Sequence, residues 1–345
     1  MALQSYSDMI ASLRKKKRTK HLLLGNGFSM AYDSTIFSYN ALNSFIRNLN
    51  NQVLSKLFSV VSTKNFEAIM QQLETLRDLA TAFKADVGFV ASIDQAISEL
   101  RAGFLEAVKE LHPEHVFTIP EEKSAACAVF LREYVDGEGG IFTTNYDILL
   151  YWVLMRNRFP NAGDGFGREA EDYEEFVPAE DLTWSNLRWG KHKDEQSVFY
   201  LHGALPLFDT GVEIEKEEYT DGSYLLENIK KRIERREYPI FVTAGTARDK
   251  LSHIKHNSYL SYCYERLSSI QGSLVVFGFN FGEYDYHIID AINIAAKHGR
   301  KTSDKLHSVY VGIYSDDALR HIESIVPQFQ CKVNLFDSKT APIWG

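Results

Sequence analysis

The chain has 345 residues, is 45% hydrophobic and 24% charged, and carries a formal net charge of -8 at pH 7. This length allows one large domain with insertions or two ordinary ones, and the composition is globular rather than disordered. The negative balance argues against the chain as a whole binding nucleic acid, and three scattered cysteines, Cys127, Cys263 and Cys331, give neither a CxxC zinc pair nor a disulfide framework.

Residues 4–17 place Tyr6, Met9, Ile10 and Leu13 on one helical face and end in the basic run Arg14 to Arg18. That run reads as a solvated last turn complementing the helix dipole, with contact to nucleic acid or an anionic surface as the alternative. No apolar core of the signal-peptide kind precedes Arg14, and the longest apolar run, Ile148 to Met155, is too short to span a bilayer. A cytoplasmic protein without a membrane segment is the expectation.

His21 to Leu24 reads as a buried strand followed by the turn Gly25-Asn26-Gly27-Phe28-Ser29. From about Phe37 to Tyr134 the apolar spacing turns helical. One stripe runs through Phe66, Met70, Leu73, Leu76, Leu79 and Phe83, and another through Ile93, Ile97, Leu100, Phe104, Val108 and Leu111. Residues 36–135 are therefore expected to be a helical insertion between the first two strands of one domain covering residues 1–345, with free faces available for oligomer contacts.

Gly140 to Phe142 and Ser197 to Leu201 read as the next strands, ending in Thr143-Thr144-Asn145-Tyr146-Asp147 and in His202-Gly203. The acidic stretches Glu169 to Glu175 and Glu213 to Glu218 lack calcium-loop spacing and read as solvated loops, and the surroundings of Trp184 and Trp189 as a lid or a subunit contact. Beyond them come a helix from Ser223 to Arg236, a strand from Tyr238 to Thr243, the turn Ala244-Gly245-Thr246 and a helix from about Arg248 to Ser269. A strand from Ser273 to Phe277 leads into Gly278-Phe279-Asn280-Phe281-Gly282 and a helix to about His298. Leu306 to Ile313, a helix from Asp316 to Ile325, and Lys332 to Phe336 complete the alternation. Such alternation implies an α/β, Rossmann-like, mainly parallel sheet with helices on both faces.

The chemistry-bearing residues sit on turns that follow apolar runs, where open α/β sheets bind ligands. Gly25-Asn26-Gly27 suits a phosphate turn, although Met30 stands where a third glycine would complete GxGxxG. Asn145 can orient a water or a ribose hydroxyl, whereas Asp147 can accept from a sugar hydroxyl or cap the helix starting near Ile148. His202 can serve as a base near neutral pH. Gly278 and Asn280 close the set; Asp285 reads as a cap of the following helix, with a place facing the site as the alternative.

In this order the pieces resemble the sirtuin-like NAD-binding domain, in its bacterial antiphage-defence branch. The resemblance rests on Gly25 to Ser29, Thr143 to Asp147, Leu201-His202-Gly203 and Gly278 to Asp285, and spans roughly residues 20–300 as a framework. It implies NAD as substrate, no metal, and Asn145 and His202 as catalytic residues. Cofactor contacts would come from Gly25, Asn26, Gly27, Phe28, Ser29, Thr144, Asp147, Gly278 and Asn280, with Thr246 on a neighbouring turn. Asn26 stands where sirtuin deacylases usually have alanine, and their four-cysteine zinc module is absent. The resemblance thus favours an NAD glycohydrolase releasing nicotinamide and ADP-ribose over a deacylase or ADP-ribosyltransferase; a non-catalytic NAD or ADP-ribose sensor is the further alternative. A homo-oligomer and a ring-forming DNA-translocating ATPase partner are implied on the same basis. A fourth reading gives Arg14 to Arg18 and Lys230 to Arg236 a nucleic-acid contact.

Overall fold

The computed structural model describes residues 3–34, 66–113, 115–170, 183–220, 222–242, 246–297 and 305–345. In chain order its strands are β1 (Gln4–Ser5), β2 (Lys20–Leu24), β3 (Ile141–Thr143), β4 (Phe166–Gly167), β5 (Leu187–Trp189), β6 (Val198–Tyr200), β7 (Gly203–Asp209), β8 (Ile214–Lys216), β9 (Pro239–Phe241), β10 (Gly272–Phe277), β11 (Leu306–Ile313) and β12 (Lys332–Asp337). Seven of them form one sheet in the order β1-β12-β11-β10-β2-β3-β6, and every neighbouring pair is parallel. All six residues of β10 are buried, as expected of a central strand covered on both faces.

Setting aside the short edge strand β1, the sheet runs in the sequence rank 6-5-4-1-2-3, the order of the doubly wound dinucleotide-binding fold. The chain first moves outward from β2 through β3 to β6. It then returns to the other side of β2 and moves outward again through β10, β11 and β12. The order therefore reverses between β2 and β10, the position outside whose strand carboxyl ends doubly wound sheets bind their ligands.

The helix Tyr6–Lys15 buries Tyr6, Met9, Ile10 and Leu13 as its periodicity requires, and Arg14 in its basic last turn pairs with Glu133. Two helices, Phe66–Ala82 and Val87–Leu111, pack on one another between β2 and β3 in the chain. Met70, Leu73, Ile93, Ile97, Leu100 and Phe104 are buried there. The first stripe does not stay inside, however: Leu79 is 50% and Phe83 82% exposed, because the hairpin tip runs past the surface it packs on. Expectations for residues 35–65 and 171–182, and for Ala244-Gly245, lie outside the described residues. The third helix of this block, Glu121–Val135, packs against β2 and β3 and is thus part of the sheet's own layer.

The structure corrects the reading of the middle of the chain. A second, antiparallel sheet of order β4-β5-β8-β7-β9 stands beside the parallel one. The strand expected near Tyr238 to Thr243 belongs to this sheet, as β9, and not to the parallel one. Residues 203–209 form β7 where no strand was anticipated. Nor is Glu213 to Glu218 a solvated loop: Glu215 and Lys216 are buried on β8, the first accepting from Arg232 Nη2 at 2.7 Å and the second paired with Asp164. Arg232 also bonds Glu237, so it is not a free member of the basic run Lys230 to Arg236. The long helix expected from Arg248 breaks at Asn257 into Ala247–His256 and Ser258–Leu267, where Asn257 caps the second by accepting from Leu260 N. Trp189 packs edge-on against Tyr259, whereas Trp184 is exposed. Among the described residues, no helix is long and apolar enough to cross a membrane.

Candidate functional site

Strand register assembles the site. Phe277, Leu24, Thr143 and Tyr200 occupy one row across β10, β2, β3 and β6. The residues one step further on are Gly278, Gly25, Thr144 and Leu201; one step beyond these come Phe279, Asn26, Asn145 and His202. All four turns therefore leave the sheet at the same level, on neighbouring strands spaced about 4.8 Å apart. Backbone bonds continue the row past the strands: Gly25 N donates to Phe277 O at 3.0 Å, Thr144 N to Leu24 O at 3.1 Å, and Leu201 N to Thr143 O at 2.8 Å.

At the reversal point the two glycine turns lock together. Gly27 N donates to Gly278 O at 2.8 Å, and a Cβ on Gly27 would lie 2.5 Å from Gly278 Cα. Phe28 N donates to Gly25 O. The amides of Gly25, Gly27 and Phe28 are thus used inside the protein, and these glycines serve close backbone approach rather than offering their own N–H groups. The helix Gly27–Tyr32 follows at once, with Phe28 and Ser29 buried and Asn26 Nδ2 3.0 Å from Met30 Sδ.

Asn145 is buried, and its Nδ2 donates to Ser29 Oγ at 3.0 Å, while Ser29 Oγ donates to Asp147 Oδ2 at 2.6 Å. Asp147 Oδ1 accepts from Leu149 N at 3.0 Å, while the cap position of the helix Leu149–Arg156 is Ile148 and not Asp147 as read from the sequence. Asp147 therefore bonds both the first residue of that helix and Ser29. Burial pushes its carboxyl up to about 6, partly offset by the Ser29 and Leu149 hydrogen bonds. Thr144 is buried and lies within reach of Leu24 O through both its amide and its hydroxyl.

His202 is buried at the end of β6, and the next residue, Gly203, has φ +78°. A Cβ there would sit 1.9 Å from Ile240 O, so only glycine lets the chain turn from one sheet into the other. Val242 N donates to His202 O and Tyr146 OH to Val242 O, both at 2.9 Å, tying the histidine turn to the Asn145 loop.

His202 Nε2 lies 2.8 Å from Nε2 of His287, a residue that the sequence reading did not single out. Asp285, read as a helix cap or as facing the site, accepts from the buried Lys250 Nζ at 2.7 Å and stands beside the two histidines. Burial holds both imidazoles neutral: it pushes His202 well below its usual range and His287 down to about 2, Lys250 adding to both shifts. His202, Asp285 and His287 form the one set among the described residues able to hold a metal ion, their ligand atoms lying within 4.8 Å of one another. Lys250 already supplies the positive charge that Asp285 requires.

Two of the expected contacts lie at the edge of this arrangement. Asn280 is exposed, its carbonyl 2.8 Å from His321 Nε2. Thr246 is exposed too, and its hydroxyl is engaged with Asp249 in a capping box for Ala247–His256, the helix that carries Lys250. The spacing Asp285-Tyr286-His287, directly after the Gly278 turn, is the one signal by which the second histidine was findable.

No curated protein matches the chain. The family model described as a domain of unknown function, DUF4917, matches residues 22–344, and the chain belongs to that family.

Proposed function

We propose that the chain is an NAD glycohydrolase that cleaves NAD to nicotinamide and ADP-ribose at the β2/β10 crevice. The observation that carries this reading is the shared row: Asn145 and His202 leave adjacent strands at one level, beside the glycine clasp at the reversal of strand order. That is where a doubly wound sheet receives a dinucleotide, and the resemblance of the four turns to the sirtuin-like NAD-binding domain names the substrate.

Cleavage breaks the bond between the anomeric carbon and the nicotinamide nitrogen. The electron pair leaves with neutral nicotinamide and creates an oxocarbenium-like centre, as in glycoside hydrolysis. Water oxygen then bonds to that carbon and its proton is released to solvent, while His202 orders the ribose. Asn145, whose amide is held by Ser29, orients the water or the ribose hydroxyls. Buried imidazoles held neutral suit this step, because they place no cation of their own beside the developing positive charge. NAD depletion as antiphage defence, a homo-oligomer and a ring-forming ATPase partner rest on the resemblance alone.

Incubating the purified chain with NAD and separating nicotinamide, ADP-ribose and cyclic products by chromatography tests the reading. Nicotinamide and ADP-ribose from the wild type, and from neither Asn145→Ala nor His202→Ala, is the expected result. Turnover by both variants at the wild-type rate would overturn it, and calorimetric NAD binding without turnover would favour the sensor.

A further inference from the structure

Two buried imidazoles meet nitrogen to nitrogen in this site, and one hydrogen can lie between them. His202 Nε2 and His287 Nε2 are 2.8 Å apart, and the two rings are tilted by 31° with centroids 5.0 Å apart. A 2.8 Å approach of two ring nitrogens places one hydrogen between them, so one ring donates its Nε2–H and the other accepts through its lone pair. The choice fixes the tautomer of each ring and so decides which nitrogen of His202 is free to meet a substrate.

The far side of His287 decides between the two arrangements. Its Nδ1 is buried and has no hydrogen-bond partner among the described residues. Were His287 the acceptor, its hydrogen would sit on Nδ1 as a buried N–H with nothing to receive it. With His287 as the donor, Nδ1 keeps a bare lone pair, which is the cheaper orphan because buried N–H groups without acceptors are rarer than under-used acceptors. The rest of the ring's surroundings is fixed. Tyr264 OH donates to the His287 carbonyl at 3.1 Å, and Asp285, two residues earlier, is engaged by Lys250. His287 also opens the helix Tyr286–Lys297, whose Ile288, Ile289 and Ile292 are buried, so its ring is carried on a rigid element.

We propose that His287 is the positioning residue of the site: it donates its Nε2–H to His202 Nε2 and holds His202 as the Nδ1–H tautomer, so that His202 meets its ligand as a hydrogen-bond donor through Nδ1. Under the NAD-hydrolase reading, on which the kinetic half of the proposal rests, that N–H holds a ribose oxygen in place during loss of nicotinamide. Water oxygen forms the new bond to the anomeric carbon as the bond to nicotinamide breaks, and the proton it sheds goes to solvent while His202 keeps its Nδ1–H. No oxidant, reductant or metal enters the step.

The tautomer is read directly from nitrogen-15 NMR of histidine-labelled full-length protein above pH 7, with the His202 signals identified by their loss in His202→Gln. A protonated Nδ1 and a bare Nε2 on His202 are expected; a protonated Nε2 would overturn the proposal. This measurement needs no turnover and stands even if the chain does not hydrolyse NAD. Steady-state kinetics supply the second arm. His287→Leu removes the donor and should lower kcat on the order of 10²-fold or more with little change in KM, since a histidine in the wrong tautomer is a poor catalyst. His287→Gln, whose amide can donate in the same place, should recover at least about tenfold of that loss. Equal kcat for the two variants would show that His287 only fills space. Failure of the wild type to turn over NAD removes the function reading, and the NMR result still decides the tautomer.

Discussion

Gly27 donates its amide hydrogen to the carbonyl of Gly278 across 2.8 Å, joining the turns after β2 and β10 at the point where the strand order reverses. Gly278 has φ +68°, and a Cβ there would lie 2.6 Å from the backbone of Gly27 and Phe28. Neither chain can move aside without parting two central strands. Gly278→Ala should therefore combine backbone strain with overpacking and cost about 3 kcal/mol or more in urea unfolding. Gly137→Ala, where a Cβ meets nothing within 4 Å, is the control and should stay within about 0.5 kcal/mol of wild type. Equal losses at the two positions would argue against the clasp.

Ser29 stands between Asn145 and Asp147 and is the piece on which the orientation of the Asn145 amide depends. Ser29→Ala removes the acceptor for the Asn145 amide and leaves Asp147 Oδ2 without its donor. Under the proposed function kcat should fall roughly 10- to 10³-fold, while the melting temperature drops by only a few degrees. A Ser29→Thr variant keeps the hydroxyl and should be closer to wild type. An unaltered rate in Ser29→Ala would show that Asn145 does not need this anchor.

Stability should fall as the solution is acidified below about pH 6.5, the unfolded-state value of histidine. His202 and His287 are held neutral by burial, and burial likewise pushes His21 down to about 4. Below pH 6.5 the unfolded chain takes up protons that these folded rings refuse, so the folded state loses ground. The loss from His21 levels off near pH 4, and that from His287 continues towards pH 2. Asp147 acts with the opposite sign: raised to about 6, it binds its proton more tightly in the folded state and softens the loss between about pH 6 and 4. Urea midpoints for wild type and His287→Gln at several pH values check this, and the variant should show the shallower acid slope.

Trp344 packs on the same turn from behind. Its ring lies 5.2 Å from Phe28 and 5.0 Å from Tyr32, and its indole Nε1 donates to Phe28 O at 3.1 Å. Trp344→Ala should cost about 3–5 kcal/mol. Trp344→Phe keeps most of the packing and loses the hydrogen bond, for about 1–2 kcal/mol. Calorimetric melts of both variants, with NAD affinity alongside, would show whether the tail steadies the turn or only the core.

Local pattern determined much of this protein. The continuous apolar runs within Lys20–Leu24, Gly272–Phe277 and Leu306–Ile313, and the helical face of Tyr6, Met9, Ile10 and Leu13, are legible because each is carried by residues close in sequence. So was the presence of ligand-type residues on the turns after β2, β3, β6 and β10.

What only the tertiary structure decided depends on long-range pairing. β9 reads like any other apolar run, β7 was not anticipated as a strand, and nothing local says that Gly203 turns the chain into a second sheet. Glu215 and Arg232 read as solvated charges because each finds its partner 17 residues away on another element. His287 was overlooked for the same reason: it lies 85 residues from His202, and what makes it matter is a single 2.8 Å contact between their side chains. The sequence placed ligand-type residues at strand ends, because those positions are marked by the apolar runs before them. The row that brings Asn145 beside His202, and the ring that holds His202 in place, arise from strand order and packing, which no short window of sequence contains.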